Sequence, residues 1–460
     1  MQVVTRIDLR IRLAAFLALL LLAGCGAGYS SLMRAPLKHL ERRDYEGALA
    51  RLEKPAGKTN KLLYRLEKGL ILHYQGQYAA SNLEFEKAEK LIDELYTRSV
   101  SRELASLLTN DAAISYTGEE FERAFIHYYR AMNYAYQAAP EDALVECRRA
   151  NLQLADYAQT ADYKLSYKND AFIQYMTGIF YEAQGEWNDA YISYKDAERG
   201  YQAYQQAFGI PMPPTLPADL ARLAQRLGYA DERDEYLQKY GLKPRDLGAP
   251  GGGQVVVFVE QGFIARKHQH EIQVPLMEGD DTRDIWALSD RMCNRYYQPY
   301  PTYSKVDYWL KMALPVYQEI PSQVHSARLS GAGQSVPAVL VENLDAIAFK
   351  TLAEKENSIL AKTLARALAK YLLTKKVEKK NEALGSLIDL LGFSTEAADT
   401  RSWLSLPSRI QLARFSLPPG TVDLTVELLD SRGQTVETRV FPGAQVAAGK
   451  TLFLNYRSFR

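Results

Sequence analysis

Cysteine is scarce. Three residues in 460 are too few and too scattered for a disulfide-stapled scaffold or a structural zinc site. Net charge is nearly absent too: 56 basic against 55 acidic side chains leave no overall field to attract nucleic acid or anionic lipid across the whole molecule. No apolar run reaches the roughly 20 residues that a bilayer core requires. A phosphate-cradling glycine loop, a nucleophile elbow and a zinc-protease histidine pair are all missing. The six histidines are dispersed, apart from His268 and His270, which would share one face of a strand. No third ligand accompanies them and Arg266 and Lys267 would repel a cation, so no metal and no other cofactor is expected. Asp280 and Asp281 are adjacent and read as surface carboxylates rather than a general acid pair. What is plentiful is tyrosine, 31 copies, which favours helices packed through large rings with a polar tip. A charged fraction of 24% beside 47% hydrophobic residues describes a globular chain, and its length allows two or three domains.

The first residues carry an address. Arg6, Arg10 and Arg12 form a basic start, Leu13–Leu22 an apolar run, and Leu22-Ala23-Gly24-Cys25 follows. The run is too short to span a membrane and suits the core of a secretory signal. Leu-Ala-Gly-Cys resembles the lipobox of bacterial lipoproteins. That resemblance implies cleavage after residue 24, a diacylglyceryl group on the Cys25 thiol and a further acyl chain, such as palmitate, on its amine. Several acyl chains hold a protein far longer than one. Gly26, in place of an aspartate, implies the outer membrane with the body facing the periplasm. Removing residues 1–24 takes three arginines and one aspartate, which leaves the mature chain at −1.

The next two hundred residues repeat. Gly69, Gly76, Tyr78, Ser81, Phe85 and Ala88 recur at the same spacing as Gly178, Gly185, Trp187, Ala190, Tyr194 and Ala197. Shorter echoes are Tyr45, Ala48, Leu52, then Phe121, Ala124, Tyr128, Ala131, and Ala143, Cys147, Ala150. Small residues at these steps let two helices cross closely, rings fill the holes beside them, and Gly76 and Gly185 permit the tight turn. The pattern resembles the tetratricopeptide repeat, a helix pair of about 34 residues. It implies a solenoid over 35–245, with a capping pair at 218–240 after the prolines at 211–217. Such solenoids take a peptide or a partner helix on the concave face. In this register Tyr74, Asn110, Tyr116, Tyr175 and Glu182 line the expected groove. A tether is expected over 25–34.

Gly248-Ala249-Pro250-Gly251-Gly252-Gly253 marks a linker at 246–253, and beyond it the composition turns β-branched. Strand signals fall at Gln254–Glu260, Glu271–Leu276, Ser335–Val341, Arg409–Ser416, Val422–Leu429, Thr435–Phe441 and Thr451–Tyr456, and Trp309–Ile320 reads as a strand-pair region. Pro418-Pro419-Gly420 and Asp430–Gly433 read as turns, at the spacing of an antiparallel sandwich. A helical insertion is expected at about 344–392. Its stripe of Ala361, Leu364, Ala365, Leu368, Ala369 and Leu372 packs on the sheet or touches a membrane, and Lys362, Arg366 and Lys370 form a solvated basic row. Leu384–Phe393 adds a second helix.

The fold class expected is therefore α+β and multi-domain: an all-α tetratricopeptide-like solenoid, then a sandwich-like β-rich domain at 254–460. Val255–Phe263 and Ala398–Pro407, with the lipobox and the repeats, resemble a family of uncharacterised bacterial lipoproteins, a likeness that implies no activity. Asp399, Arg401 and Trp403 read as an ion pair and a buried indole. Cys147 and Cys293 could pair in an oxidising periplasm, or Cys147 could be a buried packing thiol. The functional expectation is a non-enzymatic, lipid-anchored scaffold that recruits an envelope protein into its groove, with no nucleic acid. The alternative is a hydrolase or glycan-modifying enzyme with its site in the C-terminal domain.

Overall fold

The computed structural model describes residues 29–53, 60–99, 115–160, 164–247, 252–278, 305–379 and 396–460. The signal, Cys25, Asn110, Gly248–Gly251, Asp280, Asp281, Cys293 and the 384–393 segment lie outside them. Helix and strand segregate along the chain, helices first and a β-rich part after them.

Among the described residues ten α-helices precede the first strand: α1 (Tyr29–Glu41), α2 (Tyr45–Glu53), α3 (Lys61–Tyr74), α4 (Tyr78–Ser99), α5 (Glu120–Tyr136), α6 (Pro140–Thr160), α7 (Ala171–Gln184), α8 (Trp187–Phe208), α9 (Thr215–Leu227) and α10 (Ala230–Tyr240). Each odd-numbered helix packs on the even-numbered one that follows it. The repeated small-to-large spacing explains the contact. A β-carbon at Gly69 would meet the Phe85 ring at 2.7 Å, and one at Gly178 would meet the Tyr194 ring at 2.3 Å. The same sixteen-residue pairing thus closes α3 on α4 and α7 on α8, and each turn is made by a glycine at positive φ, Gly76 at 77° and Gly185 at 82°.

The start of the array differs from expectation. Instead of a tether through residue 34, α1 begins at Tyr29, which is 4% exposed and donates from its hydroxyl to Glu67 Oε1 at 3.1 Å. Tyr29, Met33, Leu37 and Leu40 recur at helical steps and all enter the core.

After Gly252 come β1 (Gly253–Gln261), β2 (Arg266–Met277), β3 (Val306–Gln318), β4 (Ser326–Gly331), β5 (Gln334–Asn343), the 35-residue helix α11 (Leu344–Glu378), β6 (Arg409–Leu417), β7 (Gly420–Leu429), β8 (Thr435–Val446) and β9 (Thr451–Ser458). Seven strands form one nearly closed sheet in the order β8-β7-β4-β5-β6-β1-β9, in place of the expected two-sheet sandwich. β1 is antiparallel to β6 and parallel to β9. Pro418-Pro419-Gly420 makes no hairpin, because β6 and β7 are not neighbours; the chain there crosses from one side of the sheet to the other. β4, built from Ser-Ala-Arg-Leu-Ser-Gly, is too polar and too short to give a strand signal, and it is held by β5 and β7.

Strand alternation divides β1 between two cores. Val255, Val257 and Val259 enter the sheet's own interior with Leu329, Phe415, Leu424 and Val426. Val256 and Phe258 point the other way and join the helices' core, together with Val341, Leu412, Trp403 and Phe459. A strand buried on both faces needs a continuous apolar run, which is what Val255–Val259 supplies. The core therefore runs unbroken from the helical array into the β-rich half. The two halves on either side of the glycine-rich segment thus share one core.

A third, smaller core stands apart. Among the described residues β2 and β3 pair only with each other, and Leu276, Leu310 and Met312 on this ribbon pack against Leu364, Ala367 and Leu368 of α11. Leu364 and Leu368 of the apolar stripe of α11 are thereby covered by protein, while Leu372 at its end stays half exposed. Its basic row is not simply solvated either: Arg366 is 2% exposed and, with Lys370, pairs with Glu396. This ribbon and helix form an arm beside the main sheet. His268 and His270 lie exposed on β2, opposite Val316 and Leu314.

Candidate functional site

The first helices of successive pairs, α3, α5 and α7, present their inner faces to the β-rich half. Four of the five residues expected to line an open groove are among the described residues, and the chain's own contacts engage them all. Tyr74 donates to Glu260 Oε2 of β1 at 2.5 Å, and Tyr128 donates to Glu260 Oε1 at 2.9 Å. Tyr116 donates to Glu122. Tyr175 donates to Asp219 Oδ2 at 2.7 Å, and Glu182 accepts from Arg414 of β6 at 2.7 Å. Asn110 lies outside the described residues. The expected open groove is corrected to a seam: apolar β1 and the 398–407 segment need cover, and the inner helix faces supply it.

Ring contacts continue along the seam. Phe172 meets Phe258 edge-on at 6.0 Å and Phe180 meets Phe453 at 5.0 Å. Trp403, fully buried, lies 5.7 Å from Phe85 and 5.9 Å from Tyr129. Asp399 and Arg401 form the expected ion pair, with both oxygens accepting at 2.8 Å. Tyr201 closes the seam on a third element, donating to the Val341 carbonyl at 2.9 Å.

The buried carboxylates on this seam were not singled out by sequence reasoning. Glu67 Oε1 accepts the Leu404 amide at 2.9 Å, and Glu122 Oε1 accepts the Trp403 amide at 2.6 Å. The first helices of two successive pairs thus grip adjacent backbone amides at the start of a turn in the 398–407 segment. A signal for them does exist. Glu67-Lys-Gly-Leu-Ile-Leu-His-Tyr74 and Glu122-Arg-Ala-Phe-Ile-His-Tyr-Tyr129 repeat a glutamate seven residues before a tyrosine, two helical turns apart on one face. Desolvation dominates their titration and pushes both carboxyls up to about 7.

Glu119, three residues before Glu122, behaves oppositely. It N-caps α5 in a capping box with Glu122, and its carboxylate receives Lys267 of β2 and Lys355 of α11, the latter at 2.7 Å. Burial raises it, but the two ammonium groups together hold it well below the ordinary carboxylate range. Glu182 is likewise held low by Arg414 and Arg222 against its desolvation. Asp170 caps α7 by accepting the Ile173 amide at 2.8 Å, and it also accepts from Tyr167. Burial pushes its carboxyl and that of Glu342 upward.

Cys147 is a free thiol at 1% exposure, raised to about 12 by burial, a state in which a thiol is an inert packing group. Its possible partner Cys293 lies outside the described residues.

A separate open cleft of about 450 Å³ lies at one end of the β-rich half, lined among others by Glu319, His325, Asp345, Arg409 and Asp430. Asp345 accepts the Ala265 amide at 2.6 Å, and burial lifts its carboxyl to about 6. Among the described residues no helix is long and apolar enough to cross a membrane. Compared with known proteins, the chain matches no family model and no curated protein.

Proposed function

We propose that this chain is a lipid-anchored envelope lipoprotein of the uncharacterised bacterial family it resembles, acylated at Cys25, held in the outer membrane and facing the periplasm. In this reading it is a non-enzymatic scaffold. Its tetratricopeptide-like helix pairs clasp their own β-rich half rather than a foreign peptide, and an envelope protein is met on the outer surface. The observation that supports this most is how the buried polar groups of the seam are spent. Glu67, Glu122, Glu260 and Glu182 each accept from their own chain, so they fasten the fold, which supports a structural role for them.

Contact with a partner then falls to side chains left outside. Several of the large exposed apolar residues sit on the arm: Trp309 and Val316 on β3, Leu372 and Leu373 on α11, each between 42% and 51% exposed. Photo-crosslinkers at positions 309 and 372, with position 152 on α6 as the control, test this in intact cells. A discrete adduct from the arm alone is the expected result. Equal labelling from all three positions, or none from the arm, would overturn the scaffold reading. Palmitate labelling that disappears in Cys25→Ser tests the anchor.

One observation favours the enzymatic alternative, the polar cleft around Asp345. If it is the working site, Asp345→Asn abolishes function with folding intact. Full function in that variant removes the alternative.

A further inference from the structure

We infer that the exposed face of α1 is a membrane-docking surface, which lies on the anionic phospholipid headgroups of the leaflet that holds the Cys25 acyl chains. The inference rests on the lipoprotein reading above and adds to it an orientation and a contact.

Chain length is the first ground. Only Gly26, Ala27 and Gly28 separate Cys25 from Tyr29. Four Cα steps reach about 14 Å at most, at about 3.3–3.6 Å per residue. That is shorter than α1 itself, about 20 Å for its 13 residues at 1.5 Å each. Nor can α1 swing away to lengthen the leash, because Tyr29, Met33, Leu37 and Leu40 are at most 4% exposed in the core. The body is therefore held against the leaflet at this one corner.

Charge is the second ground. Arg34, Lys38 and Arg42 succeed one another at four-residue steps along the side of α1 and its following turn that faces away from the core, and all three are exposed. Arg266 of β2 stands in the electrostatic field of Arg34 and Glu41 and adds a fourth cation to this corner. Glu41, also exposed here, offsets one of the four cations; the mature chain as a whole is close to neutral, so the remaining positive excess is local rather than general. At about 14 Å from the lipid glycerol, the helix start lies within two Debye lengths of the headgroups, about 8 Å each at physiological salt. Cations so placed are attracted to anionic lipid, and the tether spares them the entropy of finding it.

The test uses the full acylated chain in vesicles of phosphatidylethanolamine, with or without phosphatidylglycerol, carrying a nitroxide-headgroup quencher. A fluorophore at Ala35, exposed on α1, is compared with one at Gln238, exposed on α10 at the far end of the array. The expected result is strong quenching at 35, stronger with phosphatidylglycerol, and little at 238. Arg34→Glu, Lys38→Glu and Arg42→Glu together should lower quenching at 35 to the level of the uncharged vesicles. A twenty-residue Gly/Ser insertion after Gly28, about 25 Å in root-mean-square span, should leave quenching at 35 intact in anionic vesicles only. Quenching at 35 no greater than at 238, or indifferent to vesicle charge and to the reversal, overturns the proposal. Mass analysis of the mature N-terminal peptide separates the two claims. An unmodified Cys25 sinks both, whereas an acylated Cys25 with an unquenched Ala35 sinks only this one.

Discussion

Two stretches of the same seam solve one problem in opposite ways. At the 398–407 segment, Glu67 and Glu122 meet backbone amides and no cation that cancels their burial, so their carboxyls are pushed up to about 7. At β6, Glu182 and Asp219 meet Arg414 and Arg222, and Glu182 stays ionised far into acid. The first is a hydrogen-bonded seam whose glutamates exchange protons near neutrality. The second is a charged seam that holds only while every partner is present. Burial alone therefore does not decide how a carboxylate behaves; the nearest donor does, and the difference predicts how each stretch fails.

The largest expected effect is at the charged stretch. Arg414→Ala leaves Glu182 and Asp219, both under 10% exposed, with Arg222 as their one remaining cation, and should cost up to about 3–5 kcal/mol, the range for removing one member of a buried ion pair. Glu67→Gln keeps an acceptor for the Leu404 amide and should cost about 1 kcal/mol or less, the worth of one neutral hydrogen bond. Urea unfolding of the two variants side by side measures this, and equal losses would erase the distinction. An intermediate effect is expected from pH. Because Glu67 and Glu122 have folded-state values of about 7, above the unfolded value near 4.5, their contribution is full at low pH and is lost as pH rises through 7. Glu119 and Glu182, held low, contribute fully above the unfolded value and lose that contribution as pH falls below it. Stability should therefore be higher at pH 5 than at pH 8 and collapse in strong acid. Glu67→Gln should flatten the neutral limb alone, and an unchanged neutral limb in that variant would show that Glu67 does not titrate there. The smallest effect is expected at the rim, where Arg43 of the α1–α2 turn reaches Glu437 and Tyr456 while 36% exposed. Arg43→Ala should cost under about 1 kcal/mol, and less in high salt, as exposed pairs do. A loss as large as that of Arg414→Ala would make the rim part of the seam.

Periodicity made much of this readable. Four-residue steps at Ala48 and Leu52, the Gly69–Phe85 and Gly178–Tyr194 spacing, and the β-branched run at 255–259 each specify an element through contacts made within a few turns or one strand. Asp399, Arg401 and Trp403 are also as expected, because an ion pair two residues apart is a local matter. The groove was misjudged for a non-local reason. Tyr74 and Tyr175 do face inward as their register required, but what stands opposite is set by β1 and β6, 186 and 239 residues further on in the chain. Neither could β4 be seen, since Leu329 is its one strong apolar residue and its neighbours β5 and β7 lie on opposite sides of α11 in sequence.

The sequence by itself determined the helix pairs with their small-to-large packing and seven of the nine described strands as separate signals with sound centres, because short-range sterics and hydrophobic period decide those. Only the tertiary structure decided that the strands nearly close on one another instead of forming a sandwich, that the β-rich half covers the inner faces of α3, α5 and α7, and that two neighbouring glutamates at the start of α5 titrate in opposite directions. Each of these depends on which distant backbone amide, ring or cation desolvates or neutralises a group, and one-dimensional spacing carries no record of that.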